Sequence, residues 1–177
     1  RSSQWRARDP CELRQSYERC MMSSQFEKDA DEKMVQMGLA SHIATLGWTY
    51  ADDETLLRPL ESVFLVDDVV KALISLNPEI KEVPSRAEEV LSKLRAVLLG
   101  VRNDGLVSSN EEFVAWLCGR RTIKYIGIDK DVQVNLIDFE KAKTNSLRVT
   151  TEATFHVGRE HRRYDMVFWV NGFPLVV

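Results

Sequence analysis

The sequence predicts an α/β protein of the α+β kind, a mixed β-sheet flanked by helices, with helices mainly N-terminal and strands C-terminal. Three observations predict it. Apolar residues recur at three- and four-residue steps as far as Leu117, the spacing of a helix face. From Val132 onward apolar and polar residues alternate, the spacing of a strand with one buried side. Near the end, the apolar run Tyr164 to Val170 meets Asn171-Gly172, a pair that favours the positive φ angles of a tight hairpin. Helices followed by strands imply a mixed or mostly antiparallel sheet with helices packed on it.

The elements follow in order. Residues 1–25 carry Arg1, Arg6, Arg8, Arg14 and Arg19 among Ser and Gln without periodicity, and Met21-Met22 reads as a start preceded by extra sequence. This stretch is expected to be disordered or appended, or else a short docked segment, with the folded domain covering 26–177. The first helix is expected over Ala30 to Leu46, with Val35, Leu39, Ile43 and Leu46 as its stripe, Gly47 as its stop, and Trp48 and Tyr50 packing underneath. A second is expected over Glu54 to Leu76, stopped by Asn77-Pro78. Ser85 and Glu88 have capping-box spacing for a third, with Gly100 closing it, and Ser109 and Glu112 for a short fourth through Trp116. Strands follow at Val132 to Leu136, Val149 to Phe155 and Tyr164 to Val170, the last apolar enough to be buried on both sides. Phe173 begins the return strand, and the chain stops inside it, so the core sheet is expected to be cut short.

A chain of 177 residues suits one domain that buries roughly 70% of its unfolded surface. At 44% hydrophobic and 29% charged it has the composition of a globular protein rather than a disordered one. No run of 18 apolar residues exists, so no membrane association is expected, and Arg1 to Pro10 lacks the apolar core of a signal peptide. The cysteines Cys11, Cys20 and Cys118 are odd in number and form no C-x-x-C pair, which points to a reduced, cytoplasmic setting. The net charge of −3 is no footprint for a protein that grips nucleic acid by overall charge. There is no P-loop and no dinucleotide fingerprint, hence no ATP motor within this chain.

Asp165 is the candidate for chemistry. A carboxylate between Tyr164 and Met166-Val167-Phe168-Trp169-Val170 needs a partner, because burying it ionised costs several kcal/mol. Either it pairs with Arg162 or Arg163, or it holds a metal. With Asn171-Gly172 as a two-residue turn, Val170 faces Phe173, Trp169 faces Pro174, and Asp165 faces the first position past Val177. An acid and a lysine there would complete a divalent-metal site with oxygen donors. Asp129, Asp131 and Asp138 lie at turns, where Asp caps its own backbone. His42 is expected at the surface, and His156 has no evident partner.

The stretch Arg163-Tyr164-Asp165, four residues, then Val170-Asn171-Gly172-Phe173-Pro174-Leu175-Val176 resembles the nuclease core of the R (restriction) subunit of type I restriction-modification enzymes. Looser likeness extends back to about residue 30, through Leu46-Gly47-Trp48, Asn77-Pro78, Ile137-Asp138-Phe139 and the strand Arg148 to Val157. The resemblance implies a restriction-endonuclease-like fold of the PD-(D/E)xK superfamily. It makes Asp165 a catalytic, metal-binding Asp. Glu32 matches an acid at the start of the first helix that can face the metal; the alternative for Glu32 is a solvated first-turn acid favoured by the helix dipole. The family's Glu-x-Lys would begin just after Val177, and its downstream Gln-x-x-x-Tyr is absent here.

The same resemblance implies Mg²⁺ as cofactor, with ATP used by a translocase elsewhere in the full-length subunit. The implied partners are double-stranded DNA and the methyltransferase and specificity subunits. Arg159, Arg162 and Arg163 are candidate DNA-phosphate contacts; their other reading is a solvated loop between strands, with Arg163 set apart as part of the motif. Two other functions stand beside the endonuclease: a non-catalytic module anchoring the subunit to its methyltransferase partners, and a stand-alone repair nuclease of the same fold.

Overall fold

The computed structural model describes residues 33–52, 55–56 and 58–176. Residues 33–45 are helical (α1), and the chain turns at Gly47, which takes φ 94°. Strand β1 (Thr49–Asp52) follows, and after an irregular stretch come α2 (Val66–Leu76), α3 (Pro78–Glu82), α4 (Arg86–Asp104) and α5 (Leu106–Leu117). The short strands β2 (Thr122–Ile123) and β3 (Val132–Gln133) pair with each other. Then come the long strands β4 (Leu147–Val157) and β5 (Glu160–Val170), and β6 (Phe173–Val176). The fold is mixed α/β, with helices mainly first and the main strands last, as the sequence predicts.

The main sheet has the order β1-β4-β5-β6. β1 runs parallel to β4, whereas β4, β5 and β6 form an antiparallel meander. The meander's second turn carries the positive angles its sequence calls for, φ 51° at Asn171 and φ 83° at Gly172. Asn171 is buried, and its side chain ties this turn to the preceding chain. Its Nδ2 donates to the Leu136 carbonyl at 2.9 Å and to Asn145 Oδ1 at 2.8 Å, and its Oδ1 accepts the Ser146 N–H at 2.7 Å. Gly172 meets α2 directly: its carbonyl accepts the Leu65 N–H at 2.9 Å.

Helix α2 buries Val69, Ala72 and Leu73, and α4 buries Ala87, Val90, Leu91 and Leu94, each a stripe at helical spacing. These stripes meet Phe64, Trp116 and Phe173 in the larger core. Phe64 stacks on Phe113 at 6.0 Å and meets Phe173 edge-on at 5.3 Å. A smaller core of Leu65, Ala153, Val167 and Trp169 lies against the sheet. The buried Trp169 indole donates to Thr150 Oγ1 at 2.9 Å.

Several boundaries differ from the sequence expectation. The second helix begins at Val66 and residues 58–65 ahead of it are not helical, with Pro59 lacking an N–H and forcing its predecessor extended; Glu54, the expected start, lies outside the described residues. Gly100 does not close α4, which runs on to Asp104 and stops at Gly105, where φ is 83°. Ser109 caps nothing: α5 starts at Leu106, and Ser109 sits buried inside it, donating its N–H to the Gly105 carbonyl. Ser85 precedes α4 but makes no side-chain cap bond. In α1 the buried residues are Ala40 and Ile43, while Val35, Leu39 and Leu46 are exposed. With Met34, Met37 and Leu39 also apolar, that helix carries hydrophobic residues nearly all round, and periodicity cannot choose the inward arc. Trp48 does pack, edge-on to Phe168 at 5.3 Å, while Tyr50 is covered only in part, at 37% exposure. Of the residues expected to form the strand Val132 to Leu136, only Val132–Gln133 is strand, although Val134 and Leu136 are buried. Residues 1–25 lie outside the described residues.

Candidate functional site

Asp165 stands in the middle of β5, and it is exposed. The apolar run around it is not buried on both sides. Val167 and Trp169 are fully buried while Met166, Phe168 and Val170 are half-buried, so the strand alternates and the burial fades before it reaches Asp165. The desolvation cost expected from sequence is therefore absent. No hydrogen bond or ion pair engages Asp165 among the described residues. Arg163, expected as a partner, lies instead 3.9 Å from Glu152.

The ladder is irregular where Asp165 sits. β4 and β5 pair from Leu147↔Val170 to Thr151↔Met166 and again from Ala153↔Tyr164 to Val157↔Glu160; between these runs Glu152 and Asp165 stand opposite each other. Glu152 takes φ 56°, a left-handed conformation that costs a non-glycine residue about 1–2 kcal/mol. The side chains change sides there. Val149 pairs with Phe168, and strict alternation would keep Phe155 on the Phe168 side; instead the Phe155 ring stacks on Trp169 at 5.9 Å. Two carboxylates directly across a sheet repel, and an unfavourable backbone angle at such a place is a mark of functional sites.

Two further groups complete the neighbourhood. Asp52 is the Cα partner of Thr151, which is in turn the partner of Met166, so Asp52 lies one residue step along the sheet from the level at which Glu152 and Asp165 face each other. The Tyr50 hydroxyl donates to Asp52 Oδ1 at 2.5 Å and lies 3.0 Å from Thr151 Oγ1. Its hydrogen bond to the Asp52 carboxylate, with the charges of Asp52 and Glu152 beside it, holds the Tyr50 phenol above its ordinary range. Among the described residues no group of three or more His, Cys, Asp or Glu side chains is arranged to enclose a metal. What is present is an open carboxylate. That fits Mg²⁺, which keeps several waters and is held through one or two carboxylates plus substrate phosphate rather than in an all-protein cage. A cavity of about 220 Å³ lies elsewhere, beside the Arg148–Asp68 ion pair, and Asp165 does not line it.

The basic cluster is not a loop. Gly158 and Arg159 form a two-residue turn between Val157 and Glu160, with Gly158 at φ 64°, and Arg162 and Arg163 are β5 residues paired with Phe155 and Thr154. All three arginines are exposed. Glu32 lies outside the described residues. Asp138 is a turn cap: it accepts the N–H groups of Glu140 and Lys141 and the Thr144 hydroxyl, and these bonds hold its carboxyl below the usual range. Asp129 pairs with Lys124 at 3.3 Å in the open. His42 is exposed, and His156 faces His161 across the hairpin at 6.0 Å. Glu152 escaped the sequence reading because its acid falls on the polar phase of an alternating strand. Counting back from a Gly158-Arg159 turn would have set it opposite Asp165.

The family model described as "Type I restriction enzyme R protein N terminus (HSDR_N)" matches residues 29–177. No curated protein and no solved structure matches the chain.

Proposed function

The chain belongs to the family of type I restriction enzyme R protein N termini, and from that premise we propose that it is the Mg²⁺-dependent endonuclease domain of such a subunit, cutting double-stranded DNA that lacks the protective modification. The observation that carries the proposal is the placement of Asp165. The residue that matches the family's acid is an exposed carboxylate without a hydrogen-bond or ion-pair partner among the described residues, at a strained break in the sheet.

Asp165 would hold the ion, together with the Glu of a Glu-x-Lys on the continuation of β6. The register of β6 bears on that. Trp169 pairs with Pro174 but Phe168 pairs with Val176, so β6 carries one extra residue at this point. Continued, this register sets Asp165 across from the second position past Val177 rather than the first. Bound Mg²⁺ supplies charge neutralisation at the scissile phosphate and a water of lowered pKa. No described residue engages the Asp165 carboxylate, and the exposed strand around it leaves room for a DNA backbone. ATP hydrolysis and site recognition would belong to other parts of the full-length assembly, including its methyltransferase and specificity subunits.

The test is Asp165→Ala in the full-length subunit assembled with its partners. DNA cutting is lost while ATP hydrolysis continues. Cutting that survives the substitution refutes the assignment and leaves the chain a non-catalytic module of the complex.

A further inference from the structure

The outer half of the β4–β5 hairpin differs from the rest of the molecule in three respects. Beyond the interruption at Glu152 and Asp165 the ladder continues alone, from Ala153↔Tyr164 to Val157↔Glu160. Every residue from Gly158 to Asp165 is exposed. Its charge runs against that of the chain: Arg159, Arg162 and Arg163 stand with one acid, Glu160, in a protein of net charge −3.

The ribbon is also held. The His156 N–H donates to the Leu60 carbonyl at 2.9 Å. Arg58 donates to the Thr154 carbonyl at 2.6 Å and lies over the Phe155 ring at 4.4 Å. The β4 side is thus fastened to the loop before α2, and the turn and the first residues of β5 are left free. A fastened ribbon offers its arginines at little ordering cost.

We infer that this outer hairpin is a DNA-gripping arm, in which Arg159 and Arg162 bind backbone phosphates of a duplex whose scissile bond is brought to Asp165. The inference rests on the nuclease reading above and adds to it where the DNA is held. Guanidinium groups match phosphate in geometry and stay charged. The protein's overall charge opposes DNA, so attraction has to be local, and this arm carries three arginines close together in an exposed segment. A two-stranded ribbon is also of a width that the major groove admits. Arg163, two residues before Asp165 and so about 7 Å along the strand, joins the arm to the site. Its ion pair with Glu152 is long and exposed, and a phosphate can replace it at small cost.

The experiment measures binding of the chain to a short labelled duplex by fluorescence anisotropy over a range of salt. Each phosphate contact adds about 0.9 to the log–log salt slope, so Arg159→Ala with Arg162→Ala makes the slope shallower by about 1.8. From about 50 to about 200 mM salt the double variant then weakens about 12-fold less than the wild type. Arg120→Ala with Lys130→Ala removes the same charge from exposed positions elsewhere and keeps the wild-type slope. Arg159→Lys with Arg162→Lys retains most of it. An arm variant with the wild-type slope overturns the proposal, as does an equal change in the control pair. So does a wild-type chain that ignores the duplex and binds an acidic polypeptide instead. The nuclease reading is judged separately: it falls only if the Asp165→Ala subunit still cuts DNA.

Discussion

Replacing Gly172 by Ala tests how tightly the β5–β6 turn is seated on α2. Gly172 holds φ 83°, and a Cβ built there would lie 2.5 Å from the Leu65 carbonyl oxygen, 2.8 Å from Val69 Cγ2 and 3.0 Å from the Val69 nitrogen. Two of these three atoms are backbone, so no rotamer change relieves the contact. The left-handed angle costs alanine about 1–2 kcal/mol. Forcing the turn off α2 adds about 1–3 kcal/mol of overpacking. Loss of the Leu65 N–H bond to the Gly172 carbonyl adds about 1 kcal/mol. The expected destabilisation is about 3–6 kcal/mol. With a urea m-value of about 2 kcal/mol/M, that lowers the unfolding midpoint by about 1.5–3 M, read by the fluorescence of the buried Trp169. Gly158→Ala is the comparison, since Gly158 has φ 64° with no atom within 4 Å of its built Cβ and should show the conformational cost alone. Equal shifts for the two variants, or a Gly172→Ala shift below about 0.5 M, would refute the reasoning that contact with α2 dominates.

Two further outcomes can be checked on the same chain. At Glu152 the order of stabilities should run opposite to strand propensity: Glu152→Gly equals the wild type within about 1 kcal/mol, because glycine gains at φ 56° what it loses in chain entropy, while Glu152→Val falls below Glu152→Gly by about 2 kcal/mol. Urea midpoints decide it, and a valine variant as stable as the glycine one would remove the face switch. For Tyr125, burial pushes the phenol up to about 12, with Glu89 and Glu79 adding to the shift and Arg86 opposing it. A folded-state value above the unfolded one contributes stability that is complete below about pH 10 and is lost as pH rises toward 12. Tyr125→Phe should flatten that alkaline limb. It should not lower stability at pH 7, since the buried hydroxyl has no hydrogen-bond partner among the described residues.

What the sequence conveyed follows from which signals are local. Asn171-Gly172 was legible as a turn because its backbone angles are a property of those two residues. Its burial was not legible, because the Leu136 carbonyl and Asn145 are brought to Asn171 only by the fold. Gly100 and Gly105 show the limit of single-residue punctuation. Both are glycines at the end of a helical pattern, and only Gly105 takes a positive φ. The stripe of α1 failed for a related reason, since its inward arc depends on what it packs against. The alternation of β4 marks residues that do pack inward, Val149, Thr151, Ala153 and the half-buried Phe155, but it shows neither that Thr150 is buried as well nor that the left-handed Glu152 brings Phe155 to the Trp169 side.

That reversal also explains how one strand serves two purposes. Below Asp165, β5 is a core strand, with Val167 and Trp169 buried against Leu65 and the loop before α2. Above it, β5 is an exposed basic edge. A strand of unbroken alternation would carry its apolar side through the level of Asp165 and bury the carboxylate, which would then favour its protonated form and repel a phosphate less but bind a cation poorly. At the twist the burial ends on β5 with Val167, while on β4 Ala153 and Phe155 beyond Glu152 still pack with Trp169. Asp165 thereby stays exposed beside the buried Val167 and Trp169, as the proposed role requires of a carboxylate whose ion a DNA phosphate would share.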